Sequence, residues 1–360
     1  MRCKHLIFMV IAAVFLLSLT SCSDLFKGKA VRFSARSHPE SLLTKARYSG
    51  ATFKDGSSTY ERIDWEDGDA IRIYMNNDEH PSSPEEKVYE LTVTGSSGRY
   101  STASVNPVGG EEESIEWGSG EHTFRGVYPS TVGLSAGDIE GSVRGSQTLT
   151  YRTKDNNVLY YDPDMKSNTS SFFMVAGLKT PVTADGRIEL DFFPAVTTFE
   201  FTVGASSDLV ITGFDMETTT AEGSGDITSG SHYALTGDAK VSFDSGMTPS
   251  FSATGTGKAI ATSFSPSAAV STTTSLSFKV FALPLEIQGV RIKFTLSDST
   301  TRSLDLKRDT AADGGWIRFG ACSLVRITGL LVPGATWTIT CDGPRVEQWT
   351  ITPDVMFGVE

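Results

Sequence analysis

The sequence lacks the residue patterns of the commonest metal and catalytic sites. Its five histidines, at positions 5, 38, 80, 122 and 232, show no H-x-x-x-H spacing and no neighbouring cysteine pair, so we do not expect a zinc site. Neither a G-x-S-x-G motif nor a Walker phosphate-binding loop lies at a predicted strand-to-helix junction, which removes the usual marks of serine hydrolases and nucleotide-dependent enzymes. We therefore predict no catalytic residue, no metal ligand, no cofactor and no enzymatic activity.

Basic patches and long apolar runs are also scarce. The formal net charge is -12, and no cluster of Lys or Arg interleaved with aromatic residues is present, which argues against a nucleic-acid partner. The one long apolar run, Leu6 to Leu19, is too short to span a membrane. Ser, Thr and Gly interrupt every candidate amphipathic helix, so little helix is expected.

An acidic run, from Asp64 to Asp69, raises the question of a calcium site. Its glycine, Gly68, falls one position early for an EF-hand loop, and no Glu closes the loop. The run fits better as a tight turn that leads into the strand beginning near Ile71. We call residues 65–69, Trp-Glu-Asp-Gly-Asp, the Trp65–Asp69 turn.

What the sequence does contain is a lipoprotein signal. Arg2 and Lys4 precede the apolar run, and Leu19-Thr20-Ser21-Cys22 follows it, which has the form of a lipobox. We predict that residues 1–21 are a signal peptide and that the Cys22 thiol is acylated, with palmitate as the fatty acid. The alternative is an ordinary secretory signal with an incidental cysteine. Membrane contact would then come from lipid rather than from the acidic protein surface.

Beyond the signal, alternating and β-branched segments bounded by turn residues predict an all-β chain. The clearest strands are 71–75, 88–93, 122–128, 147–151, 188–193, 197–203, 209–216, 240–243, 276–283, 290–296, 323–328, 336–341 and 346–351. Two Ser/Thr/Gly-rich stretches, 218–231 and 254–274, are predicted as surface loops or polar edge strands.

The number of predicted strands is larger than one small β-sandwich contains. We therefore predict two tandem β-sandwich domains. Residues 22–59 would form a tether, 60–204 the N-terminal domain, and 205–360 the C-terminal domain. Five tryptophans, at 65, 117, 316, 337 and 349, fit core packing better than a sugar-stacking platform.

Two cysteines, Cys322 and Cys341, remain after Cys3 leaves with the signal and Cys22 is acylated. In an oxidising compartment they could form a disulfide. A hairpin centred between Leu331 and Val332 would bring them opposite each other, whereas a two-residue turn at Pro333-Gly334 would not. The sequence leaves both arrangements open.

The order of these features resembles the fimbrillin-like family of pilus subunits and surface lipoproteins from gut and oral anaerobes. The resemblance is carried by the lipobox and by short motifs along the chain. These are Thr44-Lys45-Ala46-Arg47 in the tether, the Trp65–Asp69 turn before a strand ending at Tyr74, Phe124-Arg125-Gly126-Val127-Tyr128-Pro129, the strands 188–193 and 197–203, Phe281-Ala282-Leu283-Pro284, and a last strand around Trp349. One motif departs from the family: Phe319-Gly320-Ala321-Cys322 lacks the usual Lys and later Tyr.

The resemblance implies transthyretin-like Greek-key domains and assembly by donor-strand exchange. A protease would cut between Arg47 and Tyr48, with Arg36 as the second candidate site, and so release a removable first strand within residues 22–59. A neighbouring subunit's tail would fill the resulting groove. The donor would be residues 345–360, whose apolar side chains are Val346, Trp349, Ile351, Val355 and Phe357, with Pro353 interrupting the strand.

The resemblance also implies a location and partners. The protein would be a structural or adhesive subunit of a fimbrium, held at the cell surface on the outer membrane by the lipid at Cys22. Its partners would be other fimbrial subunits or further copies of itself, together with host or bacterial surface glycans or proteins. The alternative function is a monomeric surface lipoprotein that binds glycans.

Overall fold

A computed structural model describes most of the chain and confirms the all-β fold. The described residues are 29–37, 47–55, 58–78, 83–97, 100–135, 137–163, 171–181, 186–219, 234–253, 255–287, 289–308, 317–321, 323–331, 345–347 and 357–359. Within these ranges the only helical element is one 3₁₀ turn, Glu111–Glu113.

The described part of the chain contains these strands in order: β1 (Arg32–Ser37), β2 (Arg47–Asp55), β3 (Ser58–Asp64), β4 (Ala70–Asn76), β5 (Glu85–Ser97), β6 (Tyr100–Pro107), β7 (Glu121–Tyr128), β8 (Gly133–Ser135), β9 (Asp138–Val143), β10 (Ser146–Asp155), β11 (Val158–Pro163), β12 (Met174–Pro181), β13 (Arg187–Pro194), β14 (Thr197–Ala205), β15 (Leu209–Thr219), β16 (Gly237–Phe243), β17 (Pro249–Ala253), β18 (Ala259–Val270), β19 (Ser275–Ala282), β20 (Leu285–Ile287), β21 (Gly289–Leu296), β22 (Thr301–Arg308), β23 (Ile317–Phe319), β24 (Ser323–Leu331), β25 (Arg345–Glu347) and β26 (Phe357–Val359).

Seven strands form a closed barrel in the order β1-β13-β12-β7-β4-β5-β6. Residues alternate between buried and partly exposed along β1, β6 and β13, as expected for strands with one face on an apolar interior. Large aromatic side chains fill that interior, and among them Phe124, Trp117 and Phe192 are at most 1% exposed. This cluster is the barrel core.

Eleven strands form a second, larger sheet in the order β25-β24-β14-β19-β11-β10-β18-β15-β21-β22-β26. Its core is a separate cluster built around Phe201, Phe214 and Phe278, whose rings lie 4.7–5.1 Å apart. The two outermost strands, β25 and β26, are separated by nine residues, which can span at most about 36 Å. The larger sheet must therefore curl so that its two edges approach each other.

One polar segment was wrongly predicted. The stretch 254–274 was expected to form surface loops or an edge strand, but β18 lies inside the larger sheet, between β10 and β15. Its buried positions include Ile260, Phe264 and Val270, while Ser, Thr and Ala occupy most of the others. Pro266 falls where the pairing with β15 shifts register, so the strand loses no regular ladder bond there.

Smaller sheets complete the described fold. β17-β16-β9-β8 form a four-stranded sheet, and β2-β3 and β20-β23 are two-stranded. The four-stranded sheet contributes Ile139, Val143 and Val241 to the barrel core. Phe173 packs so closely on this sheet that a Cβ at Gly141 would lie 2.6 Å from its ring.

The two cores meet at strand β19. Phe281 packs with Phe172 in the barrel core, while its neighbours Val280 and Ala282 belong to the core of the larger sheet. The buried amide of Gln147 donates to the carbonyl oxygen of Phe281 at 2.8 Å and accepts from its backbone N–H at 3.1 Å. This pair of hydrogen bonds fixes β10 against β19 at the place where the chain changes cores.

The strands do not divide between the sheets at residue 204. The larger sheet includes β10 and β11, which precede this position, and β14, which contains it. The strands β16 and β17, from after residue 204, pair in one sheet with β8 and β9, from before it. The chain therefore crosses between the two cores more than once.

Candidate functional site

The strand that closes the barrel is β1, and both of its backbone edges are paired. It runs parallel to β13, from Arg32 opposite Arg187 to Ser37 opposite Phe192. It runs antiparallel to β6, with Phe33 opposite Val105. We call the place that β1 fills, between β6 and β13, the β1 seam.

The inward face of β1 is part of the barrel core. Phe33 and Ala35 are only 5% and 1% exposed, and Val31, directly before the strand, is 3% exposed. The Phe33 ring meets Tyr89 and Phe124 edge to face, with centroids 5.3 and 5.6 Å away. Burial raises the pKa of the Tyr89 phenol, because the charged phenolate is disfavoured away from water.

The outward face of β1 carries one strong polar contact. Arg36 donates from Nε to Oδ1 of Asp191 at 2.6 Å and from Nη2 to Oδ2 at 2.7 Å. Its Nη1 lies 3.0 Å from Oε1 of Glu189, and its Cζ lies 4.7 Å from the centre of the Tyr100 ring. The hydrogen bonds to Asp191 raise the pKa of Arg36 above its usual value. We call these four residues the Arg36 clasp.

The clasp joins all three strands of the seam. Arg36 belongs to β1, the two carboxylates to β13, and Tyr100 to β6. A planar guanidinium suits this place because it can bind a carboxylate through two parallel hydrogen bonds while it stacks on a ring. The side chains of Arg36 and Asp191 are 31% and 37% exposed, so solvent and salt weaken the ion pair.

The Trp65–Asp69 turn leads into β4 and ties it to β7, and each of these strands lies three places from β1 in the barrel order. Asp69 is 2% exposed. Its Oδ2 accepts from the backbone N–H of Glu66 at 2.9 Å, and its Oδ1 accepts from the Tyr128 hydroxyl at 3.0 Å. Gly68 adopts a φ of 83°, which favours glycine. The predicted tight turn is therefore present, and both carboxylate oxygens of Asp69 bond to the protein.

The predicted cleavage site lies on the hairpin that follows β1. Arg47 and Tyr48 are the first residues of β2 and pair with Asp64 and Ile63 of β3. A cut after Arg47 would separate the whole of β1 from the rest of the chain. Arg36, the second candidate, lies within β1 itself, where pairing on both sides restricts access to its peptide bond.

The predicted donor segment is described at two short strands. Val346 lies in β25, opposite Val325 of β24, and Phe357 lies in β26, opposite Arg308 of β22. Trp349, Ile351 and Val355 lie outside the described residues. So do Cys22, the predicted lipid site, and both Cys322 and Cys341, the predicted disulfide partners.

Among the described residues, no group of three or more His, Cys, Asp or Glu side chains is placed to hold a metal ion. Residues 133–137 match G-x-S-x-G in letters, but they join the paired strands β8 and β9. They do not have the strand-to-helix setting of a hydrolase nucleophile. In the same described part of the chain, no helix is long and apolar enough to cross a membrane.

Sequence reasoning did not identify the seam or the clasp. Both β1 and β6 consist largely of Ser, Ala, Thr and Arg, so their alternation is weak. The alternation of Val31, Phe33 and Ala35 is the one available signal for β1. No local pattern could have indicated that Arg36 and Asp191, 155 positions apart, would pair.

Comparisons with solved structures found proteins to which this chain is similar. A structure described as a candidate cell adhesion protein from Bacteroides uniformis is 16% identical, with a TM-score of 0.51, and the alignment covers 89% of this chain and 98% of that chain. A second, described in the same words, from Bacteroides ovatus, is 11% identical, with a TM-score of 0.48 and coverage of 90% and 99%. The tip fimbrial protein Mfa3 from Porphyromonas gingivalis, with a C-terminal truncation, is 8% identical, with a TM-score of 0.33 and coverage of 87% and 99%.

At such identities the first of these likenesses shows a shared fold alone. A search of curated proteins found no match. The family model described as fimbrillin-like matches residues 54–319, which is well over half of the 360 residues. The chain therefore belongs to the fimbrillin-like family.

Proposed function

We propose that this protein is a surface subunit of a fimbrium, structural or adhesive, that assembles when β1 is removed and a strand from a neighbouring subunit takes its place. The observation that carries the proposal is the position of β1. It is a separate N-terminal strand that closes the barrel, and the proposed cut after Arg47 lies beyond its end.

Removal of β1 would leave a site suited to a new strand. The edges of β6 and β13 would lose their backbone partners, and the contacts of Val31, Phe33 and Ala35 with the core would be lost. Burying a side chain such as Val or Phe stabilises a protein by about 1.5–3 kcal/mol. Strand addition restores both the backbone hydrogen bonds and the apolar contacts.

The tail is the segment we propose as donor. Residues 345–360 carry apolar side chains at alternate positions from Trp349 to Phe357. In the isolated subunit the described tail strands β25 and β26 have only three residues each and lie at the outer edges of the larger sheet. Freeing such short edge strands would break few hydrogen bonds.

We further propose the cellular setting that the sequence predicts. Cys22 would be acylated and would hold the precursor on the outer membrane at the cell surface. The chain would comprise two sandwich domains, with Cys322 and Cys341 as a candidate disulfide. Partners would be neighbouring subunits, and host or bacterial surface glycans or proteins.

The glycan-binding alternative receives less support from the fold. It depends on exposed tryptophan side chains, and the two whose side chains are described, Trp65 and Trp117, are 3% and 1% exposed. Both pack in the barrel core, so they cannot stack on a sugar at the surface.

Assembly tests the proposal. The full precursor would be expressed in a host that exports and lipidates it, together with an Arg47→Ala variant and a variant that lacks residues 345–360. We expect the unaltered chain, co-expressed with a fimbrial subunit that supplies its incoming strand, to give ladders that resist detergent at room temperature. Arg47→Ala should give monomers, and the chain without its tail should give shortened ladders. Arg32→Ala, an exposed change within β1, is the matched control and should leave the ladders intact. Undiminished ladders from the variant without its tail would contradict the proposed donor.

A further inference from the structure

We infer that the β1 seam selects an incoming strand that carries Arg or Lys at the position of Arg36, and that its partner is therefore a different subunit rather than another copy of this chain. This inference rests on the proposed function, because it concerns the strand that replaces β1. The replacing strand would need a positive charge at the position of Arg36, in addition to apolar side chains on its inward face.

The requirement follows from what β1 would leave behind. Asp191 and Glu189 lie on the outward face of β13, and each is bound to Arg36 in the closed barrel. Tyr100 lies under the same guanidinium, on β6. When β1 is lost, the two carboxylates stay in place beside an aromatic face. A cation in the new strand would restore the ion pairs and the ring contact.

The tail of this chain cannot supply that cation. Residues 346–360 contain the acids Glu347, Asp354 and Glu360 and no Lys or Arg. Arg345 precedes them, but it shares its odd-numbered face with Trp349, Ile351, Val355 and Phe357. In an unbroken strand that places Trp349 and Phe357 toward the barrel core, Arg345 would also point inward.

The outward positions of the same strand are even-numbered. They are occupied by Val346, Gln348, Thr350, Thr352, Asp354, Met356, Gly358 and Glu360. At each register that aligns the apolar face, the residue at the position of Arg36 is therefore neutral or acidic. An acid there would face two carboxylates, which adds repulsion. Like-charge contacts of this kind are a common means of rejecting a wrong partner.

Strand exchange into the intact fold tests the inference. The chain from Ser23 to Glu360 would carry a site-specific protease sequence inserted between Ser41 and Leu42, so that cutting leaves β1 bound without a covalent link. Fluorescent peptides would then compete with β1, and anisotropy would report their affinity. The probes are a peptide of residues 29–38, its Arg36→Gln and Arg36→Glu variants, and a peptide of residues 345–360. Arg32→Gln removes the same charge on the same outward face and is the matched control.

We expect the Arg36→Gln peptide to bind about tenfold more weakly than the unaltered peptide, since it loses charge-assisted hydrogen bonds. The Arg36→Glu peptide and the tail peptide should bind more weakly still, and Arg32→Gln should change affinity less than about twofold. In a chain with Asp191→Asn and Glu189→Gln, the unaltered peptide and its Arg36→Gln variant should bind alike. In a chain with Asp191→Lys and Glu189→Lys, the tail peptide should gain affinity.

Two results would overturn the inference in different ways. If the tail peptide competes as well as the β1 peptide, or if Arg36→Gln binds undiminished, strands are exchanged without selection by charge, and only the inference fails. If no peptide enters the cut chain, including that of residues 29–38, strand replacement itself fails, and the proposed function fails with it.

Discussion

Phe33 of the first strand meets Tyr89 of β5 edge to face, with ring centroids 5.3 Å apart inside the barrel. This contact ties a segment near the N-terminus to the centre of the barrel core. Edge-to-face aromatic contacts stabilise a fold beyond the area they bury. The strand that we propose is removed during assembly is therefore firmly held until it is cut.

Replacing Phe33 with alanine should weaken β1 more than any outward change. The cavity left by the ring should reduce the stability of the closed barrel by about 3–5 kcal/mol. Hydrogen exchange of the amides in β6 and β13, followed by mass spectrometry, would show faster exchange along the seam. Arg32→Ala, on the exposed face of the same strand, should change these rates little. Equal effects from both substitutions would contradict the placement of Phe33 in the core.

A methyl group at Gly126 should overpack the barrel. A Cβ at this position would lie 2.7 Å from Cζ of Phe192 and 3.4 Å from Cβ of Ala176. Because Phe192 is fully buried, its ring has little room to move. We expect Gly126→Ala to lower the free energy of unfolding by about 1–3 kcal/mol, measured by denaturant titration.

The control for that substitution is Gly133→Ala. A Cβ at Gly133 would have no atom within 4 Å, and the residue is exposed at the start of β8. The substitution should be neutral or slightly stabilising, because alanine restricts the unfolded chain. A larger loss at Gly133 than at Gly126 would show that the packing around Phe192 is misplaced.

Removing the Tyr128 hydroxyl should loosen the Trp65–Asp69 turn. The hydroxyl donates to Oδ1 of the buried Asp69 at 3.0 Å. In the Tyr128→Phe variant this oxygen would have one hydrogen-bond donor fewer. We expect the free energy of unfolding to fall by about 1–3 kcal/mol. Thermal unfolding would report the change. Tyr151→Phe removes a hydroxyl from a residue that is 40% exposed and should leave the midpoint almost unchanged.

Changing Gln147 to leucine should weaken the attachment of β10 to β19, at the place where the two cores meet. The Gln147 side chain bonds to both the backbone N–H and the carbonyl oxygen of Phe281, in a buried setting. The variant would leave both groups without these bonds, so we expect a loss of about 2–4 kcal/mol. Thr150→Ala, an exposed change on the same strand, is the control. Unchanged unfolding of Gln147→Leu would contradict the coupling of the cores at Phe281.

The sequence predicted the strongly apolar strands well, for example those around Ile71, Phe199 and Phe278, because alternation and β-branching act locally. It failed at β18, where exposed Ala and Ser on one face hid an alternation of Ile260, Thr262 and Phe264 on the buried face. A strand inside a sheet can leave one face open to solvent, so low hydrophobicity on that face does not place the strand at an edge.

The candidate site was predictable only in part. The resemblance to fimbrillins led to the removable first strand and to Arg47, but the neighbours of β1 depend on pairing between segments more than 60 positions apart. The Arg36 clasp also depends on pairing between distant segments, because its two carboxylates lie on β13. Long-range strand pairing is decided by how complete sheets pack, which a local pattern does not contain.

If β1 is removed to open the barrel, the assembled protein on the cell surface must begin after the cut, so its first residue decides whether removal takes place. Surface protein would be released from intact cells and its terminal peptide identified by mass spectrometry. We expect the chain in assembled material to begin at Tyr48. An assembled subunit that begins at an acylated Cys22, and so retains residues 32–37, would contradict it.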